Sequence, residues 1–379
     1  MINIKNKSKC SGCSACRDVC PNRSIIMAED DEGFLYPHVD IQTCVKCGQC
    51  VKVCPIISKS ENKTDKIITA YGAQTRNDDI LKQSSSGGIF SEIATYVLEQ
   101  NGVVFGAAFD EEFRVRHIAV EQIAHLQKLR GSKYVQSEIG NCYKKAKAYL
   151  EKGRLVLFTG TPCQIGGLCN FLGKTYDNLI TQDIICHGVP SPMVWKKYIE
   201  YRENQAVSRT QRIFFRHKKY GWKISSVQFE FSNCTEYMQP LSEDLYMRSF
   251  LQNLTLRPSC YNCAFKTKHR ISDITLADFW GVEQICPELY DNKGTSLVVL
   301  HTPKAHDLFK CVQGKLRCKS VDLEEAIQYN SAMTVSVAPN PKREAFLSLI
   351  QKTGFGGARK QLKTPFLQQV KRIIRAIVK

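Results

Sequence analysis

Eight cysteines in the first 54 residues constrain this chain more than any other feature. Cys10, Cys13, Cys16 and Cys20 form C-x2-C-x2-C-x3-C followed by Pro21. Cys44, Cys47, Cys50 and Cys54 repeat the run ahead of Pro55, each at an offset of 34 residues. The spacing has a geometric reason. Three cysteines placed three apart wrap one face of a cubane and turn the intervening N–H groups toward its sulfides. The fourth sits a helical turn later and faces the neighbouring cluster. Cys10, Cys13, Cys16 and Cys54 are therefore expected to hold one [4Fe–4S] cluster, and Cys44, Cys47, Cys50 and Cys20 a second. Ser11, Gly12, Ser14, Ala15 and Gly48 are small enough for the loops to close tightly. Structural zinc sites come as separated cysteine pairs rather than runs of four.

The remaining ten of the 18 cysteines must be read against compartment. MINIKNKSKC offers no apolar stretch ahead of the first cysteine and no cleavage site, and nothing in the chain approaches ~18 consecutive apolar residues. This predicts a cytoplasmic, reducing setting in which thiols serve as metal ligands or redox groups rather than disulfides. The formal charge of +17 raises the question of nucleic acid. Each thiolate-ligated cluster is anionic and lowers that sum. The basic residues are dispersed with no nucleic-acid motif, so nucleic acid is not an expected partner.

Beyond the cysteine runs, Ser58–Lys66 (SKSENKTDK) reads as a polar linker. Short β-rich runs then alternate with helical patterns, as in an α/β domain. Strands are expected at 67–73, 103–109, 155–159, 179–185, 227–231 and 297–301, with helices after Gly88, Glu138, Pro162 and Ser191. The division is 1–57, a linker at 58–66, a large domain at 67–340 and a basic tail at 341–379. In that tail Thr364-Pro365 begins a helix that places Phe366, Val370, Ile373, Ile374 and Ile377 on one face. Such a basic amphipathic helix suits peripheral contact with an anionic membrane face, or docking on its own domain or a partner.

Two further features carry chemistry. Cys260 and Cys263 form a C-x2-C pair, Cys163 lies at a strand-to-helix junction in Gly160-Thr161-Pro162-Cys163, and Cys186 ends an apolar strand. In a parallel α/β sheet the carboxyl ends of strands share one crevice, so these four could complete a third tetrathiolate site, although a single C-x2-C also suits zinc or no metal. Cys142, Cys169, Cys234, Cys286, Cys311 and Cys318 read as ordinary thiols. The run Ser84-Ser85-Ser86-Gly87-Gly88 feeds a helix N-terminus, which offers N–H donors to a phosphate, as a plain capping turn also would. Clusters pass single electrons while most substrates exchange two, so a flavin is the expected companion. Lys133 and Tyr134 are candidates to border it.

Taken in order, SSSGGIFSEIA, GSKYVQS, VLFTGTPCQIGGL, ICHGVPSP and RPSCYNCAFKTKHRISDITLADFWG resemble the coenzyme F420 hydrogenase/dehydrogenase beta subunit family. The family includes deazaflavin-oxidising subunits and a chlorophyll-pathway reductase. The resemblance implies FAD near Ser86, Gly87, Gly88, Lys133, Gly160, Thr161 and Pro162. It also implies a third [4Fe–4S] cluster on Cys163, Cys186, Cys260 and Cys263. Asp273, Asp278 and Gly281 would shape the segment beneath; Asp278 suits a buried acceptor as well as a catalytic role, and His187 a hydrogen-bonded turn.

The expected architecture is an α+β ferredoxin-like dicluster module followed by a larger α/β flavin-binding domain. The expected function is an iron–sulfur flavin-dependent oxidoreductase exchanging hydride with coenzyme F420 or another small two-electron substrate, with ferredoxin or another redox protein as partner. A non-catalytic electron-transfer subunit is the alternative, as is a reductase of surface-polysaccharide biosynthesis, since chains of this build resemble proteins of such loci. The residues name no catalytic group.

Overall fold

The computed structural model describes residues 1–58 and 68–362. Most of the expected linker and the amphipathic stretch from Thr364 lie outside the described residues. The N-terminal module holds the antiparallel pair β1 (Ile25–Glu29) and β2 (Leu35–Val39) and two single helical turns, Ala15–Asp18 and Gln49–Lys52. The duplication is visible in the backbone. Gly12 and Ser14 have φ of 71° and 66°, and their counterparts Lys46 and Gly48 have 54° and 77°. Left-handed residues interleaved with ordinary ones turn successive N–H groups into an anion-binding concavity.

The larger part is built on an eight-stranded sheet. Its centre is parallel: β4 (Val103–Phe109), β6 (Val156–Thr159), β7 (Leu179–Ile184) and β11 (Ile274–Asp278) pair in that order. β12 (Ser296–Leu300), β3 (Thr69–Thr75) and β13 (Leu316–Val321) extend one side antiparallel, and β5 (Val115–Val120) closes the other. The central strands read as continuous apolar runs because helices cover both faces. The helices Ile89–Glu99 and Pro303–Gln313 pack on one face, and Cys142–Glu151 and Pro162–Leu172 on the other. Pro162–Leu172 starts with a capping box, Thr161 with Gln164, and carries proline in its first turn.

A second core lies over β8 (Thr210–His217), β9 (Ser226–Phe231) and β10 (Glu236–Pro240), a separate antiparallel sheet. Trp195, Tyr198, Phe215, Phe229 and Tyr246 fill it. All six expected strands are thus present within two residues. The N-terminal hairpin, β5, β8, β10, β11 and β13 are additional, and β5 and β13 help to make the large sheet mixed. The boundary expected near residue 340 falls ahead of the helix Arg343–Ala358, whose Phe346, Leu347, Ile350 and Phe355 are buried in this second core. Leu362 is buried there too, so the packed unit runs at least that far. The low apolar density of 341–362 hid this; a few large side chains suffice when a partner surface already exists.

The cysteine module is not a free appendage. Arg343 grips the Glu32 carboxylate with both terminal nitrogens, one at 2.9 Å. Gln136 Nε2 donates to Ser11 O at 3.1 Å, and Asn170 Nδ2 to Ser58 O at 3.1 Å. Gly167 is also packed on the module: a Cβ there would stand 2.9 Å from Cys13 Cβ and 3.0 Å from Cys13 Sγ.

Gly167→Ala should therefore destabilise the protein by about 1–3 kcal/mol through overpacking. Gly314→Ala, with nothing within 4 Å of its Cβ, should be neutral or slightly stabilising. Urea midpoints of the two variants check this. A second expectation concerns His117 on β5, whose Nδ1 meets Ser137 Oγ at 2.7 Å and Nε2 meets Thr159 O at 2.9 Å. Burial holds its pKa down at about 4, below the ordinary 6.5. The unfolded chain thus takes up the proton first as pH falls, so stability present above 6.5 drains away toward 4. From pH 7 to 5 this group should cost about 2 kcal/mol. His117→Gln should flatten that part of the urea-midpoint profile.

Candidate functional site

The eight N-terminal thiols sort into two sets. Cys54, from the second repeat, faces Cys10 and Cys16 of the first, and Cys13 is beside both of the latter. Cys20, from the first repeat, lines a cavity with Cys44, Cys47 and Cys50 of the second. Cys54 thus lies near thiols of the first repeat and Cys20 near those of the second, while Cys50 is also within charge reach of Cys16 and Cys54. Cys47 is exposed, so the second set opens to solvent. The first set is more enclosed, with Cys13, Cys16 and Cys54 buried and Cys10 half-buried, and Cys16 is pushed up to about 12 by burial first and by the neighbouring thiolates of Cys10 and Cys54 next. Among the described residues no three His, Cys, Asp or Glu side chains converge on a single-ion position. Thiolates around a cubane attach at separate iron corners and need no such convergence.

A third set forms from three distant segments. Cys163 sits in the first turn of Pro162–Leu172, Cys186 lies just beyond β7, and Cys260 and Cys263 belong to the short turn around Pro258–Asn262. Cys163 lies within charge reach of Cys263 and Cys186, and Cys260 of Cys163 and Cys263. Burial, aided by this mutual repulsion, pushes Cys163, Cys186 and Cys260 each up to about 12. Thr161 Oγ1 stands 3.1 Å from Cys163 Sγ, and the Val189 N–H donates to Cys260 Sγ at 3.4 Å. Cations surround the set: Arg257 acts on Cys163 and Cys260, and Lys266 and Arg270 on Cys186. Four clustered thiols beside Arg257, Lys266 and Arg270 fit an anionic tetrathiolate cluster, although Arg270 also pairs with Asp183 at 3.8 Å.

The residues expected around a flavin gather at the carboxyl ends of the parallel strands. Ser132 N–H donates to Ser85 Oγ at 2.7 Å, which ties the GSKY loop to the serine–glycine run. Lys133 is half-buried, its Nζ 2.9 Å from Arg130 O and 5.9 Å from the centre of the Phe109 ring at the end of β4. Burial pushes the ammonium down to about 7. Gly160, Thr161 and Pro162 come directly after β6. Part of the expected phosphate cradle is already engaged: Ser86 Oγ donates to Thr295 O at 2.8 Å and Gly87 N–H to Ser296 Oγ at 3.0 Å. The helix Ile89–Glu99 starts directly after Gly88, with no side-chain cap on its first turn.

Two residues at this edge escape notice in the sequence. Arg216, at the end of β8, is buried and pairs with Asp278 at 3.2 Å, and its Nε has no hydrogen-bond partner among the described residues. Lys218 Nζ donates to Ser86 O at 3.0 Å and Leu81 O at 2.8 Å, and burial lowers its pKa to about 8. An orphaned guanidinium nitrogen near the half-buried Lys218 ammonium, which also donates to Lys293 O at 2.6 Å, fits a phosphate-bearing cofactor. The available signal was the RHKK run ending an alternating strand, which reads as dispersed surface charge. Asp278 also accepts from Trp222 Nε1 at 3.0 Å, and Asp273 Oδ2 accepts from Thr181 N at 2.8 Å, so both act as structural acceptors. His187 Nε2 meets Asn253 Oδ1 at 2.8 Å in a turn.

Comparison with known proteins adds the lineage. Residues 9–56 match the family model for a 4Fe-4S dicluster domain and 41–72 that for a 4Fe-4S binding domain. Among curated proteins, the coenzyme F420-dependent sulfite reductase of Methanocaldococcus jannaschii is 31% identical over 172 residues, 44% of this chain and 25% of that protein. This chain therefore aligns with only about a quarter of that relative. An uncharacterized ferredoxin of the same organism is 34% identical over 73 residues, 17% of this chain and 94% of its own length. Among solved structures, a chain from the F420-reducing [NiFe] hydrogenase complex of Methanosarcina barkeri is 17% identical with a TM-score of 0.47, covering 78% of this chain and 91% of that one. No helix among the described residues is long and apolar enough to cross a membrane. Residues 70–143 match the N-terminal and 153–325 the C-terminal model of the coenzyme F420 hydrogenase/dehydrogenase beta subunit. Together these cover well over half of the chain, and it belongs to that family.

Proposed function

We propose that this chain is an iron–sulfur flavoprotein oxidoreductase with three [4Fe–4S] clusters and one FAD. The assignment is Cys10, Cys13, Cys16 and Cys54 for the first cluster, Cys44, Cys47, Cys50 and Cys20 for the second, and Cys163, Cys186, Cys260 and Cys263 for the third. The observation that carries it is the convergence of the third cysteine set directly beside the first. Cys13 and Cys163 lie within charge reach of each other, and Gly167, one turn beyond Cys163, touches Cys13. Redox groups held there would be linked from a solvent-open end at Cys47 to the edge formed by Gly160, Thr161 and Pro162.

At that edge the chain supplies charge and shape. Lys133, Arg216 and Lys218 would hold phosphate, and the helix beginning after Gly88 would aim its positive end at it. The bound clusters would supply one-electron exchange, and the flavin would couple single electrons to hydride. The second electron carrier is a small molecule of the coenzyme F420 class or another two-electron substrate, with a ferredoxin-type protein at the exposed set. In this reading residues 1–57 are the electron entry, 67–340 together with the helix Arg343–Ala358 are the cofactor domain, and Ser86, Gly87 and Gly88 act by shaping the loop.

Anaerobically purified protein should contain about twelve iron and twelve sulfide per chain and one extractable FAD. Cys186→Ser should lower iron to about eight while leaving the other clusters in place. About eight iron and no flavin in the parent protein would exclude the proposal. A second reading, an electron-transfer subunit, draws support from the partial span against the sulfite reductase relative. It predicts no oxidation of reduced F420 by the isolated chain and turnover only with a co-purified partner.

A further inference from the structure

Arg257 is the one arginine among the largest fully buried side chains of the described residues, at 0% exposure. Its Nε donates to Cys10 O at 2.7 Å, Nη1 to Gln136 Oε1 at 2.9 Å, and Nη2 to Leu35 O at 2.9 Å. Nη2 also stands 3.6 Å from Cys10 Sγ. The guanidinium lies 4.2 Å from the centre of the Tyr36 ring and 5.3 Å from that of Phe34. Each of these acceptors is a neutral oxygen or a cysteine sulfur. A fully buried cation without a carboxylate is costly, so its counter-charge must come from elsewhere. Two thiolate sets are within reach: Cys10 on one side, and Cys163 and Cys260 on the other. A side chain on Gly12 would strike this guanidinium at 2.8 Å, which is how closely the cysteine loop is moulded to it.

We infer that Arg257 is a shared counter-ion, a single buried charge that tunes two cluster sites at once and fixes the spacing between them. This rests on the reading that both sets hold clusters. The step it serves is a one-electron exchange: one site is oxidised by the electron the other gains, and no proton moves and no bond changes. Each reduced site carries one more negative charge than its oxidised form, so a nearby cation favours reduction at both. A cation common to the two raises both potentials together and keeps their difference small, which favours exchange in either direction. None of the Arg257 contacts reaches the outer set of Cys20, Cys44, Cys47 and Cys50.

The test is potentiometric titration of the holoprotein followed by low-temperature electron paramagnetic resonance, with iron content measured in parallel. In Arg257→Gln or Arg257→Met, two of three potentials should fall by at least a tenfold change in reduction equilibrium, which is about 59 mV for one electron. The third should hold. Arg257→Lys keeps the charge and should leave all three near their original values. Unmoved potentials in a fully loaded neutral variant would overturn the inference. So would an equal fall in Arg257→Lys, because packing rather than charge would then be responsible. If neither neutral variant loads, Gln136→Glu leaves Arg257 in place beside a carboxylate and should lower the same two potentials; no change there would equally overturn the inference. Parent protein with about eight iron would instead defeat the three-cluster reading, and the Arg257 effect would then appear on one potential alone.

Discussion

The contact between the helix Pro162–Leu172 and the first cysteine loop organises everything else. That helix carries Cys163 in its first turn and Gly167 one turn later, so a single rigid element supplies a ligand candidate for one site and the seat for another. The close approach is possible because glycine removes the one atom that would separate them. The helix is anchored in turn by the sheet: it springs from β6, and its capping glutamine donates to Ser137 O at 3.1 Å. Distance between redox sites is thus set by secondary structure rather than by a linker.

Charge is the consequence of that proximity. Twelve cysteines gathered in three adjacent sets concentrate negative charge once their thiols ionise, and burial alone would keep them protonated. The chain answers with Arg257, Lys266 and Arg270 around the third set. Metal binding to such thiols and release of their protons are linked processes.

Local features were legible in the residues because their causes are local. The cysteine runs dictate a loop geometry within each repeat, and the left-handed positions at Gly12, Ser14, Lys46 and Gly48 recur at the same offset. The buried strands announced themselves as apolar runs, and prolines with capping residues marked helix starts at Pro162 and Pro192. Strand β13, whose burial alternates with exposed lysine and arginine at a sheet edge, left no such mark. Nor did Arg343–Ala358, which is stabilised by aromatic residues contributed from elsewhere in the chain.

By itself the sequence determined the eight-cysteine module and the α/β character of the larger domain. Those properties depend on spacings of a few residues and on the periodicity of burial. Only the tertiary structure decided that Cys163, Cys186, Cys260 and Cys263 meet, that they meet beside Cys13, and that Arg257 lies within reach of both sets. Residues far apart in the chain come together through the order of strands in a sheet and the docking of one module on another. No spacing rule encodes such meetings, because they are set by how whole surfaces pack.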